Sequence, residues 1–535
     1  MRIINPEAPD MVESVPSDAE RKRVTCDGER GTVRYVGAVP PTTGVWLGVE
    51  WDNPERGKHD GRHEGVQYFT CRHPTGGSFI RPQKASFGVT YLVAMRQRYE
   101  VDLDAITGEQ LKISTRTVEM IGFEAVSEKQ KVANVTAVSL RCCEVCGPGP
   151  ENEIREMTPN VLSLDLSGNL LCCWEDVAGI TRQLQRLQEL RLGENRLSLP
   201  ADPHSLAPAF ASLKVLDLKG SAISWLEVLQ CAPMWPFLEE MYVSDNCITE
   251  LQKPVSVLHS LTVLDLSRNP IADGSEILKI ADLPRLEKLN LAETGLSSLQ
   301  FNDVCPGGKT AMFPALKILA LDDNKISEWS VVNELEKLAS LQQLSCHRNP
   351  LMGAERDFQT ARQLLIASIG QLEALNKSQV TPEERKGAEL DYCKMFGTKW
   401  LESGGHRDSE QNRPSAKFTE EHPRFQFLIQ KYGAPEDGEL KQQKPFALKN
   451  QLLNITFVCP DMADRTPVQK KLPDSMTVQK VKGLLHRMLK VTGSELRLTY
   501  TSSKMEGREI EIDNDLKPLQ FYSVEDGDTV LVRWS

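Results

Sequence analysis

A short pattern recurs through the middle of the chain and constrains the fold more than any other feature. It reads L-x-x-L-x-L-x-x-N, with similar residues at some positions. Its last position falls, at intervals of 23 to 30 residues, on Cys143, Asn169, Asn195, Ser221, Asn246, Asn269, Thr294, Asn324 and Asn349. A period of this length predicts a solenoid in which every turn packs on the turns before and after it.

The pattern resembles the leucine-rich repeat, and we assign residues 131–375 to it. In such a repeat the leucines stack in the core, and the asparagine satisfies backbone groups inside the bend. Ser221 and Thr294 are shorter, so the sequence predicts that their turns are looser. Trp174 and Trp329 stand five residues after the asparagine position, where a core leucine is expected, and we predict that both are buried.

The residue between the two strand leucines is expected to face the concave side of the solenoid. The candidate concave repeat surface comprises Asp165, Arg191, Asp217, Tyr242, Asp265 and Asn290. The residues two positions earlier include Glu189, Val215 and Lys288. A face that mixes charged, polar and apolar side chains is typical of protein docking, and the alternative is a solvated sheet face without a partner.

The segment before the repeats has a different pattern. From Val33 the chain shows short apolar alternations separated by glycine, proline and Asn-Pro, which predict a small β-barrel. Such a barrel is too small to enclose a cofactor, so its function is expected on a surface groove. Residues 21–90 carry 11 basic and 7 acidic side chains, so this module is positively charged.

Five segments of this module resemble a CAP-Gly domain. They are Gly31-Thr32-Val33-Arg34-Tyr35, Trp46-Leu47-Gly48-Val49, Gly57-Lys58-His59-Asp60-Gly61, Tyr68-Phe69-Thr70-Cys71 and Gly77-Ser78-Phe79-Ile80-Arg81-Pro82. The family loop is usually Gly-Lys-Asn-Asp-Gly, and here His59 replaces the asparagine. Histidine still offers an N–H donor, but its ring is larger and titrates near neutral pH.

The resemblance implies that the module binds acidic peptide ends that finish in an aromatic residue, such as the tail of α-tubulin. The candidate tail-binding residues are Trp46, Gly57, Lys58, His59, Asp60, Gly61, Phe79 and Arg81. We expect the loop N–H groups to hold the terminal carboxylate, and Lys58 and Arg81 to neutralise acidic residues. The aromatic rings are expected to form apolar walls, and Asp60 to brace the turn. The alternatives are that Trp46 and Phe79 are core residues and that Arg81 is an ordinary surface charge.

The rest of the chain divides into further segments. We predict a flexible N-terminus over residues 1–20, the CAP-Gly domain over 21–90, a linker over 91–130, and a helical cap and linker over 376–447 that starts near Thr381. Residues 448–535 read as β-β-α-β-β and resemble ubiquitin-like domains. The expected fold class is multidomain α/β and β: a small β-barrel, a repeat solenoid with a helical cap, and a C-terminal β-grasp domain.

Composition excludes several classes of protein. The net charge of −11 argues against nucleic-acid binding, and no apolar run is long enough to span a membrane. Thirteen cysteines fit reduced thiols, and Cys143-x-x-Cys146 lacks a second pair of zinc ligands. We therefore expect a cytoplasmic protein without membrane partners, and a monomer; the resemblance to CAP-Gly domains implies that it is also cytoskeleton-associated.

This order of domains resembles that of a tubulin-folding cofactor. The resemblance implies a chaperone that binds α-tubulin and the α/β-tubulin heterodimer, acts with other tubulin-folding cofactors, and promotes heterodimer assembly and dissociation. The alternative is a microtubule-associated CAP-Gly adaptor without chaperone activity, although the chain has no sustained heptads for dimerisation. We expect no enzyme activity and no cofactor, because the sequence has no phosphate-binding loop, zinc-protease motif or nucleophile elbow.

Overall fold

The structure is a computed structural model. It describes residues 15–99, 134–352, 358–436, 440, 452–462, 464–491, 496–501, 509–522 and 524–534. The chain divides into two compact units, Met1–Leu440 and Lys441–Ser535. No helix among the described residues is long and apolar enough to cross a membrane.

The first unit begins with the barrel. Its strands are β1 (Arg23–Cys26), β2 (Glu29–Ala38), β3 (Val45–Trp51), β4 (Arg62–His63), β5 (Val66–Gln67) and β6 (Gly77–Ile80). An antiparallel sheet has the order β1-β2-β3-β6, and β4 and β5 form a separate short hairpin. After the barrel, the short strand β7 (Val89–Thr90) pairs in parallel with β9 (Val145–Gly147). Val24, Val33, Leu47, Val49 and Ile80 are buried in the barrel core. Alternation in the strands leaves the opposite side chains free to form a groove.

Eleven further strands form the repeat sheet. They are β8 (Ala137–Ser139), β10 (Ser163–Asp165), β11 (Glu189–Arg191), β12 (Val215–Asp217), β13 (Glu240–Tyr242), β14 (Val263–Asp265), β15 (Lys288–Asn290), β16 (Ile318–Ala320), β17 (Gln343–Ser345), β18 (Ala374–Leu375) and β19 (Ser378–Gln379). Strands β8 and β10 to β18 pair in parallel, and β19 ends the sheet antiparallel to β18. The central residue of β8 and of each strand from β10 to β17 is buried, so its two flanking residues face outward.

Helices and short 3-10 turns form the other side of the unit. The helices are α1 (Tyr91–Tyr99), α2 (Glu153–Met157), α3 (Trp174–Thr181), α4 (Pro203–Leu206), α5 (Trp225–Cys231), α6 (Gly274–Leu278), α7 (Trp329–Glu336), α8 (Phe358–Ser368), α9 (Pro382–Glu402), α10 (Ala416–Glu421) and α11 (Phe425–Tyr432). The 3-10 turns of this unit are Pro54–Arg56, Pro82–Lys84, Ala207–Phe210, Ala232–Met234 and Pro350–Met352.

An asparagine ladder joins consecutive repeats. The Asn269 Nδ2 donates to the carbonyl oxygens of Val243 at 3.0 Å and Leu266 at 2.9 Å. Its Oδ1 accepts from the backbone N–H groups of Asn246 at 2.9 Å and Ile248 at 3.0 Å. One fully buried side chain therefore satisfies backbone groups of two neighbouring repeats.

The two shorter residues in the ladder behave differently. The Thr294 hydroxyl lies 3.0 Å from both the Leu291 carbonyl oxygen and Asn324 Oδ1. The Ser221 hydroxyl is buried and makes no hydrogen bond within the described residues. Thr294 thus replaces part of the asparagine function, whereas Ser221 leaves a buried polar atom unpaired.

The start of the predicted linker is helical instead. Residues 91–99 form α1, and Tyr91, Leu92, Ala94 and Met95 are buried in the core of the repeats. The predicted linker over 91–130 is therefore wrong for its first nine residues, because they cover the apolar edge of the first repeat. The remainder of that prediction, like residues 1–14 of the predicted flexible N-terminus, lies outside the described residues.

The two tryptophans predicted to be buried differ in their exposure to solvent. Trp174 is 1% exposed and packs against Phe210 and Trp235. Trp329 is 37% exposed, so that prediction is wrong. In its repeat the core positions are filled by Val331 and other apolar residues of α7, which leaves the first residue of the helix at the surface.

Helices α8 to α11 cap the last repeat, as predicted from the helical pattern after Asn349. Thr381 caps the N-terminus of helix α9, since its side chain accepts a hydrogen bond from the Glu384 N–H. Glu389 on this helix is fully buried and contacts Arg424 at 2.9 Å and Lys431 at 2.7 Å. Burial alone would raise the pKa of Glu389, but hydrogen bonds from Lys431, Tyr432 and Arg424 hold it below its usual value.

The second unit is a β-grasp domain, as predicted. Its strands are β20 (Leu452–Val458), β21 (Val468–Pro473), β22 (Leu496–Thr501), β23 (Ile510–Ile512) and β24 (Thr529–Trp534), in the sheet order β21-β20-β24-β22-β23. Helix α12 (Val478–Leu489) buries Val478, Val481, Leu485 and Leu489, and a 3-10 turn covers Leu519–Tyr522. The short strand β23 was missing from the predicted β-β-α-β-β order.

The ladder yields a prediction about stability. Asn269→Ala leaves several buried backbone groups unpaired, so we expect the free energy of unfolding to fall by about 3 kcal/mol. Ser221→Ala, the matched control, removes a hydroxyl without a partner and should change it by less than about 0.5 kcal/mol. Urea unfolding of the full chain, followed by tryptophan fluorescence, measures both. Equal losses of stability in the two variants would contradict the stabilising role assigned to the asparagine ladder.

Candidate functional site

The glycine loop at residues 57–61 is built into the barrel through its backbone. A Cβ atom on Gly57 would lie 2.0 Å from the Thr75 carbonyl oxygen. Gly61 has a φ of +102°, and a Cβ there would lie 1.9 Å from the Phe69 carbonyl oxygen. Neither position accepts a side chain, because the backbone approaches two neighbouring segments too closely.

Most N–H groups of this loop already have acceptors. Lys58 and His59 both donate to the Gly77 carbonyl oxygen, at 2.7 and 3.2 Å, and Gly57 donates to Pro54. Gly61 donates to the side chain of His59. Only the Asp60 N–H donates no hydrogen bond within the described chain. The predicted cradle of loop N–H groups is therefore wrong, and a bound carboxylate must depend mainly on side chains.

His59 is held in one orientation by the loop. Its Nδ1 accepts a hydrogen bond of 3.0 Å from the Gly61 N–H. The neutral ring then carries its proton on Nε2, which leaves that atom as a donor. Burial lowers the pKa of His59 from 6.5, so the ring is neutral at pH 7. Histidine here accepts and donates as the amide of an asparagine would.

Aromatic rings surround Phe79 at the centre of the groove. Its ring centroid lies 5.1 Å from that of His59, 5.4 Å from Phe69, 5.5 Å from Tyr68 and 6.3 Å from Tyr35. Phe69 is buried, whereas Phe79, Tyr68 and Tyr35 are half-buried. The cluster can receive an aromatic side chain edge-on. Tyr35 was not among the candidate tail-binding residues predicted from the sequence, although it ends the first of the five segments that resemble a CAP-Gly domain.

Arg81 is engaged with Trp46. Its guanidinium lies 3.8 Å above the Trp46 ring and donates a hydrogen bond of 2.8 Å to the Thr43 carbonyl oxygen. The Trp46 Nε1 donates to the Thr42 hydroxyl at 2.7 Å. These contacts hold residues 42–46 along one side of the groove and direct the Arg81 charge toward that segment.

The two charged side chains of the loop have different surroundings. The exposed Lys58 ammonium makes no hydrogen bond or ion pair in the part of the chain that the structure describes. Asp60 Oδ1 accepts from the Arg62 N–H at 3.2 Å, so its carboxylate braces the turn. Besides the Asp60 N–H, the Lys58 ammonium and the His59 Nε2 are therefore the donors of this loop available to an anionic ligand.

The six candidate concave residues form one row across the repeat sheet. Asp165, Arg191, Asp217, Tyr242, Asp265 and Asn290 are neighbours in register on successive strands. Several of them also fix the turn that follows, since Asp165 accepts from the Ser167 N–H and Asp265 from the Ser267 N–H, each at 2.9 Å. The row has three carboxylates and one guanidinium, so this face is acidic.

One group of described residues has the donor types for a metal ion. The ligand atoms of Cys172, Cys173 and Asp176 lie within 4.8 Å of one another. A hydrogen bond from Cys173 lowers the pKa of Cys172, and Lys22 acts in the same direction. The nearby ammonium and the N-terminus of α3 both disfavour a cation at this place. The group therefore carries no metal assignment.

Two domain families match parts of the sequence. The profile of the CAP-Gly domain matches residues 20–85, which include the whole groove. The profile of a ubiquitin-like domain matches residues 453–533. The solution structure of the C-terminal ubiquitin-like domain of mouse tubulin-specific chaperone e is 61% identical, with 17% of this chain and 95% of that chain covered and a TM-score of 0.16.

Full-length relatives cover all the domains. Tubulin-specific chaperone E of Danio rerio is 65% identical over 518 residues, which are 97% of this chain and 99% of that protein. The Homo sapiens protein of the same name is 51% identical over 528 residues, 98% of this chain and 100% of that protein. Because this identity extends over nearly the whole length, the chain belongs to the tubulin-specific chaperone E family.

Proposed function

We propose that this chain is a tubulin chaperone that holds α-tubulin at two places. The barrel groove binds the acidic, aromatic C-terminal tail, and the concave repeat surface docks on the folded body. The observation that carries the proposal is the unpaired Lys58 ammonium and the His59 Nε2 donor beside the half-buried Phe79 ring.

The chemistry of the groove suits such a tail. The terminal carboxylate binds Lys58 and His59, while the aromatic side chain packs against Phe79 and Tyr68. Burying one aromatic ring contributes about 1.5 to 3 kcal/mol, and a charge-assisted hydrogen bond about as much, before ordering costs are subtracted. A net of about −8 kcal/mol corresponds to micromolar affinity, which is enough to tether a tail but not to remodel a folded partner.

The repeat surface supplies the second contact. Its row of carboxylates repels an acidic tail, so the tail is directed to the positively charged barrel. The mixed polar and apolar side chains of this surface suit a folded protein whose own surface is complementary. Tethering through the tail raises the local concentration of the body, which makes a weak second contact effective.

Two contacts on one tubulin molecule give a route to heterodimer assembly and dissociation. The chaperone shifts the equilibrium only as far as it binds one tubulin state better than the other. Other tubulin-folding cofactors supply the remaining subunit, and the ubiquitin-like domain offers a further surface for such partners. The mechanism needs no covalent step and no bound cofactor.

Binding to purified α/β-tubulin tests this proposal. We expect Lys58→Ala to weaken binding of intact tubulin about tenfold, because it removes a charge-assisted contact to the tail. Lys84→Ala, at another exposed lysine of the barrel, is the matched control and should bind like the wild type. Tubulin stripped of its tails should bind both variants equally and more weakly. Equal binding of intact and stripped tubulin, or co-sedimentation with microtubules without loss of polymer, would contradict it.

The orientation of His59 yields a second prediction. His59→Asn should keep the affinity for a tail peptide within about threefold, whereas His59→Ala should lose about tenfold, because alanine neither accepts from Gly61 nor donates to the carboxylate. Fluorescence anisotropy measures both affinities.

The pH dependence follows from the lowered pKa of His59. Burial disfavours the charged ring, and protonation would also break the bond from the Gly61 N–H, so the folded protein resists protonation until the pH falls below 6.5. In this range the unfolded chain binds the proton more readily, so the His59 contribution to stability is present above pH 6.5 and decreases as the pH falls. Nitrogen-15 spectra of histidine-labelled protein should show the Nε2–H tautomer at neutral pH, and a midpoint above 6.5 would contradict this assignment.

A further inference from the structure

A cavity of 720 Å³ lies between the barrel and the first repeats. Six cationic side chains line it: Arg21, Lys22, Arg23, Arg34, Arg72 and Arg196. Two neighbouring depressions on the barrel share Arg34 and Arg72 with this cavity. Arg196 belongs to the repeats, so both domains contribute to the cationic lining.

The carboxylates beside these arginines are already paired. Arg23 binds Asp52 through both terminal nitrogens, with Nη1 at 2.6 Å from Oδ1. Arg34 donates two hydrogen bonds to Glu50, at 2.8 and 2.7 Å. Asp52 and Glu50 therefore neutralise Arg23 and Arg34.

Arg72 and Arg196 remain without a full partner. The exposed Arg72 guanidinium makes no hydrogen bond or ion pair with any described residue. Arg196 Nη1 donates to the Gly220 carbonyl oxygen at 2.5 Å, and its guanidinium lies 3.8 Å from Asp52, which Arg23 already binds. Burial, together with the neighbouring Arg23, Arg72 and Arg30, lowers the pKa of Arg196. Arg72 thus has no counter-ion among the described residues, and Arg196 shares the single carboxylate of Asp52 with Arg23, so this side of the cavity keeps an excess of positive charge.

The acidic residues that line the cavity do not occupy this side. Asp18, Glu20, Asp176 and Glu227 line the large cavity but neither of the two depressions that contain Arg72. Asp18 is paired with Lys22 at 2.8 Å. The excess positive charge is therefore local to Arg72 and Arg196.

This charge is continuous with the aromatic groove. Phe69 packs against Phe79, and the segment from Phe69 to Arg72 lines a shallow depression together with Arg34 and Glu50, which bind each other. An extended peptide that leaves the groove along this segment places its side chains beside Arg72. The second depression, which Arg196 lines together with Arg34 and Arg72, adjoins this one and lies between the barrel and the repeats.

We propose that Arg72 and Arg196 bind carboxylates of the acidic peptide segment that precedes the aromatic tail end held in the groove. This inference rests on the proposed function, because the groove must first hold the tail end. It adds a site to which the repeats contribute, so that the tail spans the junction of the two domains.

Two fluorescent peptides test the proposal with the full chain. One carries a run of glutamates before a tyrosine end, and the other replaces these glutamates by serines but keeps the last acidic residues. At low salt we expect wild-type protein to bind the glutamate peptide about tenfold more tightly, from charge contacts to Arg72 and Arg196. Arg72→Gln should reduce this preference to about threefold or less while leaving the affinity for the serine peptide unchanged.

Lys84→Gln is the matched control, since Lys84 is an exposed barrel lysine that lines none of these cavities. It should retain the full preference for glutamate. An equal loss in Lys84→Gln, or an unchanged preference in Arg72→Gln, would overturn the proposal while leaving the groove intact. Failure of the serine peptide to bind at all would instead overturn the function proposed for the groove.

Discussion

The carboxylate of Glu144, in the turn after the first repeat strand, joins the barrel to the repeats within the first unit. Its oxygens accept hydrogen bonds of 2.7 Å each from Thr25 and Ser86 of the barrel. Arg30 reaches Glu194 at 2.8 Å, and a short strand at Val89–Thr90 pairs with β9 (Val145–Gly147). Polar side chains with several partners fix an orientation more strictly than apolar contact alone. The proposed two-site binding of tubulin depends on this joint, because it sets where the groove lies relative to the concave sheet.

The repeats could be predicted from the sequence because every turn has the same packing requirement, so the same residue pattern recurs along the chain. Each turn needs buried leucines and a residue that satisfies the bend, so the register of the strands and the row from Asp165 to Asn290 follow from spacing. Helix α1 could not be predicted in this way, since its burial depends on an apolar edge formed by residues distant in the sequence. Trp329 shows the same limit, because which residues fill a core depends on the neighbouring turns.

The groove shows where local reasoning fails. Two glycines around a lysine suggest free N–H groups, yet the Gly77 carbonyl oxygen accepts from two of them. The sequence does not reveal that pairing, because it joins segments far apart in the chain. The histidine in place of the family asparagine is explained only by the structure, through the hydrogen bond from Gly61. Arg72 and Arg196 likewise meet only after folding, and neither belongs to a motif.

In the proposed complex, one tubulin molecule contacts the groove and the concave sheet at the same time. Hydrogen exchange of the full chain, measured with intact and with tail-stripped α/β-tubulin, tests it most directly. Intact tubulin should protect the loop Gly57–Gly61 and the repeat strands together, and removing the tails should abolish only the protection of the loop. Protection of the loop without the strands, or no change when the tails are removed, would contradict it.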